Sequence, residues 1–343
     1  MGLASFTDCS PIFVVGSDRS GTTLLQMMLN AHPDVAVAGE LHFFNQILGL
    51  KKLVPDLEAR DRIDKLFQLL PSVAGFGYLT GFEPVLAEAK DRLLVADRPS
   101  YELLYRYLLE GFCRQQGARR FGEKTTANLR YLEQLVRIFP NCKIIHIVRD
   151  PRANVASRLK VPWTSGDVVT NALKWKLEVS CGRSFAGQHD LARGRFFEVR
   201  YEEIVAEPMQ ILCRVCDFVG EPYDERMLEY HSSASAYVEK EPWKRGTTRP
   251  VYTSSLDSWR SRLSEAQLFL IELITRAEMD HYGYPRSKFS RSAALLSPLQ
   301  LAREIVRWLR YKWAERRQRR DEEIIVYGDQ RRLLQILWRT LVR

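Results

Sequence analysis

The stretch FVVGSDRSGTTLL, residues 13–25, predicts a β-strand, a tight loop and the start of a helix. Three apolar residues come first, and Gly16 and Gly21 bracket the polar residues that follow. A loop of this kind presents free backbone N–H groups at a helix N-terminus, which is a binding site for phosphate. The ATP-binding loop G-x-x-x-x-G-K-[ST] has the same glycine spacing, but Thr22 occupies its lysine position here. The loop therefore predicts a phosphate-bearing ligand other than the triphosphate of ATP.

The composition is that of a globular chain of 343 residues, 45% apolar and 27% charged. A run of about eighteen uncharged apolar residues does not occur, and the N-terminus lacks a secretory signal pattern, so we expect neither a membrane span nor a leader. Six scattered cysteines fit reduced thiols and favour the cytoplasm. The net charge of +9 lies in residues 286–343, which hold 15 Lys and Arg against 6 Asp and Glu.

Short apolar segments separated by helical patterns predict an α/β fold with a central parallel sheet and helices on both faces. The predicted strands are 11–16, 119–123, 143–148 and 195–199. Residues 41–118 are helix-rich and long for a connection between strands, so we interpret them as an insertion that shapes a substrate cleft. The composition changes near residue 286, which predicts a domain boundary there, with one domain over 1–285 and a basic helical tail over 286–343.

Cationic and hydroxyl side chains follow the predicted strands. Lys124 comes just after the second strand, Arg149 ends the third, and Ser157 lies two helical turns later. The carboxyl ends of parallel strands meet at one edge of a sheet, so these side chains and the 16–23 loop are expected to converge there.

The third strand ends without the carboxylate that holds magnesium in ATP-using enzymes. KIIHIVRD instead places Arg149 at that point, and Asp150 with Pro151 predicts a helix start. The pattern predicts that side-chain cations, with no metal, neutralise the phosphate. It disfavours a kinase or an ATPase.

Several segments, in this order, resemble the sulfotransferases that use 3′-phosphoadenosine 5′-phosphosulfate (PAPS), especially the branch with bacterial enzymes and tyrosylprotein sulfotransferases. The similar segments are GSDRSGTTLLQMMLNAHPDV, GEKTTANLRYLEQLVRIFPNCKIIHIVRD, VRDPRANVASRL, VRYEEIVAEP and SSLDSWRSRL. They extend to about residue 285. The resemblance implies a P-loop-like three-layer sandwich, PAPS as co-substrate and no metal.

The resemblance also implies a donor site. The 5′-phosphosulfate would be held by the loop residues Arg19, Ser20, Gly21, Thr22 and Thr23. Arg149 and Ser157 match the ligands of the 3′-phosphate, and Tyr201 matches a tyrosine near the nucleotide. Ser254 or Ser255 is the candidate for a supporting serine, although the family serine lies closer to the tryptophan than these do to Trp259.

Sulfuryl transfer needs in-line placement, charge stabilisation and a base for the acceptor hydroxyl. The resemblance implies that Lys124 contacts the bridging oxygen and that Arg19 helps to bind the sulfonate. Glu40 is the candidate base, and His42 is its rival because imidazole suits neutral pH.

The sequence leaves the acceptor open among glycans, glycolipids, lipids and tyrosyl peptides. Two alternative functions fit parts of the sequence: a small-molecule kinase of the P-loop type, and a non-catalytic nucleotide-binding protein at a membrane. The first needs the missing lysine and magnesium carboxylates, and the second leaves Lys124, Glu40 and Arg149 unexplained.

The tail predicts two amphipathic helices. Apolar residues recur at helical spacing, at Leu295, Leu299, Ala302, Val306, Leu309 and Trp313, with arginines on the other faces, and RRLLQILWRTLVR repeats the pattern. Such helices either lie on an anionic membrane surface, or pack on the domain or on a second subunit of a homodimer. Nucleic acid is not expected as a partner, because no recognised binding motif accompanies the charge.

Overall fold

The loop that opens the sequence joins strand β1 (Ile12–Gly16) to helix α1 (Thr22–Asn30), as predicted. These elements belong to a computed structural model that describes residues 10–72, 81–232, 248–253, 256–290 and 298–310. Ser254 and Ser255 lie outside the described residues.

Within that part of the chain, five parallel strands form one sheet in the order β2-β3-β1-β4-β5. The other strands are β2 (Val35–Ala38), β3 (Arg120–Lys124), β4 (Lys143–Val148) and β5 (Phe196–Arg200). Val14 of β1 pairs with Lys124 on one side and with Ile145 on the other. The prediction of a parallel sheet is confirmed, but the four-strand count was wrong. It lacked β2, whose four residues include two alanines and carry little strand signal.

Helices occupy most of the connections. They are α2 (Arg60–Leu69), α3 (Glu83–Leu94), α4 (Tyr101–Gln115), α5 (Leu132–Ile138), α6 (Pro151–Arg158), α7 (Val168–Ala186), α8 (His189–Ala192), α9 (Tyr201–Ala206), α10 (Pro208–Val219), α11 (Glu265–His281) and α12 (residues 298–310). Short 3₁₀ helices cover Ile47–Lys52, Leu70–Ser72, Thr126–Arg130 and Glu225–Ser232.

Successive side chains of β1 point into two different cores, which makes the fold a three-layer sandwich. Phe13 packs with residues of α4 and α5 and of the 41–118 segment, and its ring centroid lies 5.3 Å from that of Phe139. Ile12 and Val14 pack on the other face, against α1 and α10. Both cores are fully buried around β1, so the loop that follows this strand starts from a rigid base.

The start of α6 has the predicted arrangement. The Asp150 carboxylate accepts a hydrogen bond from the Arg152 backbone N–H at 2.8 Å, and Pro151 occupies the first helical position. The Trp175 indole of α7 donates to the Arg149 carbonyl oxygen at 3.0 Å. These contacts fix the backbone of Arg149 at the carboxyl end of β4.

Candidate active site

The carboxyl ends of the five strands bring the candidate residues to one edge of the sheet. The candidate phosphate-binding loop, residues 16–23, follows β1, Glu40 lies two residues after β2, and Lys124 is the last residue of β3. Arg149 and Tyr201 directly follow β4 and β5. The sequence predicts that the residues at the ends of β1, β3 and β4 converge. In the structure, residues that follow β2 and β5 join them at the same edge.

The N-terminus of α1 is shaped to receive an anion. Gly21 occupies the N-cap position in a left-handed conformation with φ of 95°, and no side chain caps the first turn. A Cβ atom at this position would lie 2.3 Å from Cδ2 of Tyr201, so only glycine fits under that ring. The first backbone N–H groups of α1, beside Thr22 and Thr23, thus have no side-chain cap to compete with a ligand.

Four of the predicted donor-site residues contact one another. Nε of Arg19 donates to the Ser157 hydroxyl at 3.3 Å, and the Arg19 carbonyl oxygen accepts from Nη1 of Arg149 at 3.0 Å. The Arg149 guanidinium lies over the Tyr201 ring, 4.3 Å from its centroid. Arg149 is 9% exposed, so its guanidinium lies largely buried at the edge of the sheet.

Lys124, Glu40 and His42 form a chain of ionisable groups. Nζ of the buried Lys124 donates to Oε1 of Glu40. The second carboxylate oxygen of Glu40 lies 3.4 Å from Nε2 of His42. His42 adopts a left-handed backbone conformation with φ of 54°, which is uncommon for a residue with a side chain. Glu40 therefore lies between the Lys124 ammonium and the His42 ring.

A buried carboxyl group holds this chain in place. Glu123 accepts hydrogen bonds from the Leu41 backbone N–H at 3.0 Å and from Nδ2 of Asn128 at 2.9 Å. The hydroxyls of Tyr105 and Thr125 also donate to it. Burial raises the pKa of Glu123. Sequence reasoning missed this residue, although an acidic residue inside an otherwise buried strand end could have identified it.

A cavity of about 650 Å³ lies beside the helices of the 41–118 segment. Its lining residues are Phe44, Leu48, Arg98, Ser100, Glu102, Leu103, Arg106, Tyr131, Gln134, Arg137 and Ile138. The Phe44 ring, four residues after Glu40, stacks on Tyr131 with 4.9 Å between centroids. Phe43 and Phe82 belong to the same buried core cluster as Phe44. Phe76 and Tyr78 lie outside the described residues.

Among the residues that the structure describes, no group of three or more His, Cys, Asp or Glu side chains is arranged to hold a metal ion. At the edge of the sheet the Glu40 carboxylate accepts from Lys124 and the Ser157 hydroxyl accepts from Arg19.

The loop between β1 and α1 and its neighbouring arginines form the candidate site of an α/β fold, and comparison with known proteins gives the class. The chain belongs to the sulfotransferase family, whose model matches residues 11–225.

Relatives of this chain include protein-tyrosine sulfotransferases. A putative enzyme of this name from Caenorhabditis briggsae is 26% identical over 266 residues, which cover 75% of this chain and 83% of the relative. Protein-tyrosine sulfotransferase 2 of Gallus gallus is 23% identical over 290 residues, which cover 80% of this chain and 70% of the relative. An uncharacterized protein of Aquifex aeolicus is 26% identical over 73% of this chain, but the match spans only 30% of that longer protein.

Solved structures share the fold. The sulfotransferase domain from the Synechococcus PCC 7002 olefin synthase superposes with a TM-score of 0.55 at 20% identity, covering 82% of this chain and 98% of that domain. The sulfotransferase domain from the curacin biosynthetic pathway gives a TM-score of 0.55 at 19% identity, covering 81% and 99%.

Proposed function

We propose that the chain transfers a sulfuryl group from PAPS to a hydroxyl acceptor. The observation that carries this proposal is the convergence of Arg19, Arg149 and Ser157 beside the uncapped N-terminus of α1. PAPS carries a 5′-phosphosulfate and a 3′-phosphate, so it needs two anion sites close together. ATP lacks the 3′-phosphate and leaves the second site without a ligand.

In this proposal the backbone N–H groups of residues 21–23, with the hydroxyls of Thr22 and Thr23, hold the 5′-phosphate at the start of α1. The Ser20 N–H already donates to the Ser17 carbonyl oxygen at 3.1 Å and shapes the loop. The Arg149 guanidinium and the Ser157 hydroxyl hold the 3′-phosphate, because a planar guanidinium suits two phosphate oxygens at once. The Tyr201 ring lies against the Arg149 guanidinium and also close to Gly21 of the loop.

The transfer step exchanges one sulfur–oxygen bond for another. The acceptor oxygen forms a bond to sulfur as its proton passes to a base, and the bond from sulfur to the bridging oxygen of the 5′-phosphate breaks. We assign the role of base to Glu40. Lys124 contacts the leaving oxygen, and Arg19 binds the sulfonate. The contact between Lys124 and Glu40 supports this assignment, because it places both groups at one centre, within reach of the two oxygens bonded in turn to a single sulfur atom.

Replacement of Arg149 by alanine is expected to weaken binding of the product 3′-phosphoadenosine 5′-phosphate by about 2–3 kcal/mol, since a charge-assisted bidentate contact is lost. Titration calorimetry measures the Kd, with and without EDTA. Arg92→Ala is the matched control, because Arg92 also stacks on a tyrosine ring, at 3.8 Å, but in α3. Binding that requires a metal, or an unchanged Kd in Arg149→Ala, would contradict the proposed site.

A thermal-shift measurement separates this proposal from a kinase. Ligand at a hundredfold its Kd stabilises a folded protein by about 2.7 kcal/mol. We expect that effect with the bisphosphate product and not with ATP and magnesium. The reverse result would favour the kinase.

The acceptor in this proposal carries a hydroxyl group, and the relatives named protein-tyrosine sulfotransferases support an alcohol or phenol. Incubation with labelled PAPS and candidate glycans, glycolipids, lipids and tyrosyl peptides would identify its class.

We also propose that α12 lies on an anionic membrane surface. Glu304 and Leu301 face the domain: the buried Glu304 carboxylate accepts from the Val168 backbone N–H at 2.7 Å, and Leu301 packs beside α6, α7 and α11. Beside this buried face runs a stripe of exposed apolar side chains, Leu299, Ile305, Val306 and Leu309, each 43–53% accessible. Arg303, Arg307 and Arg310 are also exposed, along one edge of this stripe, and Arg307 pairs with Glu304 at 3.0 Å.

An apolar stripe bordered by arginines matches the chemistry of a lipid interface, where acyl chains meet anionic headgroups. Val168 is the first residue of α7, and α7 leads from the carboxyl-end edge of the sheet back to the start of β5. The N-terminus of α7 therefore lies at the same end of the sheet as the candidate site. A membrane along α12 would therefore lie near the site. In the described part of the chain, none of the helices is long and apolar enough to cross a bilayer.

The full-length chain is expected to sediment with vesicles of phosphatidylglycerol and phosphatidylcholine at low salt, and not with phosphatidylcholine alone. Each basic residue contributes about 1 kcal/mol near the surface, so added salt weakens the effect. Val306→Ser with Leu309→Ser, and separately glutamine at the three arginines, should abolish sedimentation, while lysine at the three arginines should preserve it.

The membrane proposal fails if the unmodified chain remains in the supernatant. It also fails if Val306→Ser with Leu309→Ser lowers Tm or converts a dimer to a monomer, since the stripe then packs against the chain's own tail or a second copy.

A further inference from the structure

A buried ion pair lies directly under the phosphate-binding loop. The Ser17 hydroxyl donates to Oε2 of Glu178 at 2.8 Å and accepts from Nη2 of Arg158 at 2.8 Å. The same guanidinium donates to Glu178 at 2.5 Å, and its Nε donates to the Asp18 carbonyl oxygen at 3.3 Å. We name Ser17, Arg158 and Glu178 the anchor cluster. It joins the loop to α6 and α7 through groups that are almost completely buried.

Further contacts hold the residues on either side of Arg19. Nδ2 of Asn154 donates to the Asp18 carbonyl oxygen at 2.7 Å and to the Ser20 hydroxyl at 3.0 Å. The Thr126 hydroxyl donates to the Asp18 carboxylate. The backbone is therefore fixed before and after Arg19, from α6 and from the segment that follows Lys124.

Arg19 itself needs this support. Its φ of 68° places it in the left-handed region, which a residue with a Cβ occupies only where its surroundings hold it. In that conformation its carbonyl oxygen accepts from Arg149 and its side chain donates to Ser157. Relaxation of the loop to ordinary backbone angles would break both contacts and separate the two anion sites.

The charges of the anchor cluster are balanced. Burial acts to raise the pKa of Glu178, but the guanidinium groups of Arg158 and Arg130 outweigh it and hold the pKa below its ordinary value. Nη2 of Arg130 lies 3.4 Å from Oε1 of Glu178. A carboxylate beneath a loop that binds anions would repel them, and Arg158 cancels that charge locally.

We infer that Arg158 and Glu178 are positioning residues of the donor site. Their ion pair forms hydrogen bonds to Ser17 and Asp18 and so keeps Arg19 in the conformation that joins the two anion sites. This inference rests on the proposed use of PAPS. Neither residue contacts the donor in this proposal. Their effect on binding passes through the loop backbone.

Three variants test the inference. Arg158→Met leaves a buried carboxylate without its partner, so it can fail to fold. Arg158→Met with Glu178→Met removes both charges, and an apolar pair of similar size is compatible with folding. Arg158→Lys keeps the charge and is expected to restore part of the binding lost in Arg158→Met.

The matched control is the pair Arg120 and Glu221, which are joined at 2.6 Å and are also largely buried. Arg120 begins β3, at the opposite end of the strand from Lys124. Arg120→Met with Glu221→Met therefore breaks an ion pair of the same kind away from the site.

For the folded double variant of the anchor cluster we expect at least a tenfold rise in the Kd of the bisphosphate product and in the KM for PAPS, with the acceptor KM unchanged. The control double variant should lose thermal stability without a change in the Kd. Calorimetry, circular dichroism and initial rates provide these quantities.

Wild-type affinity in the folded anchor-cluster variant would overturn the inference, and so would an equal loss of affinity in the control. Failure of the unmodified chain to bind the product would instead refute the proposed function. The two failures are thus distinguishable.

Discussion

Lys124→Ala is expected to lower kcat by about a hundredfold or more while the Kd of the bisphosphate product changes only a few fold. Lys124 is buried at the end of β3, and its ammonium would meet the leaving oxygen, on which negative charge grows during transfer. An interaction that strengthens only in the transition state affects kcat and leaves ground-state binding nearly unchanged. Single-turnover rates and calorimetry on the same preparation measure the two quantities.

Lys176→Ala is the control for the loss of a partly buried lysine, since its ammonium donates to the Ile274 carbonyl oxygen in α11 at 2.9 Å. We expect nearly wild-type kcat for this variant. If affinity and kcat of Lys124→Ala fell by the same factor, Lys124 would be a residue of ground-state binding, and the assignment to the leaving oxygen would be wrong.

Glu40→Gln is expected to abolish most turnover while donor binding persists. Glutamine keeps the shape and the hydrogen bonds of the side chain but cannot take the proton of the acceptor hydroxyl. The carboxylate contacts both the Lys124 ammonium and the His42 ring, so its position beside the transfer centre does not depend on the negative charge alone. Initial rates at saturating PAPS and the Kd of the product separate chemistry from binding.

His42→Gln is the comparison variant, and we expect it to lower turnover only slightly. Nε2 of His42 lies 3.4 Å from Glu40, so His42 supports the carboxylate in our assignment and does not accept the proton itself. The opposite ranking, with an inactive His42→Gln and an active Glu40→Gln, would transfer the role of base to His42.

Strand-end reasoning predicted much of the fold and part of the site. Arg149 follows the buried, mostly apolar strand KIIHIV, and Lys124 ends the shorter strand RFGEK, so both side chains lie at the carboxyl ends of parallel strands. The same logic did not identify β2. Alanine and valine alternate there over only four residues, and pairing with β3 rather than intrinsic propensity makes the strand.

The anchor cluster could not be predicted for a different reason. Arg158 and Glu178 are charged residues on two helices, a pattern typical of solvated helix faces. Their burial follows from the packing of α6 and α7 against each other beneath the loop. Glu123 is similar, since its four hydrogen-bond donors come from three separate segments of the chain.

The central place of β1 in the sheet has a consequence for biosynthesis. Ile12 pairs with Gly122 and with Lys143, so both neighbours of β1 are made more than a hundred residues after it. At about 5–20 residues per second, a ribosome needs on the order of ten seconds to reach them. During that interval the apolar segment IFVVG has two open strand edges, where pairing with another chain competes with folding. Slower growth or chaperone supply during expression is therefore expected to raise the yield of soluble protein more than any change at the active site.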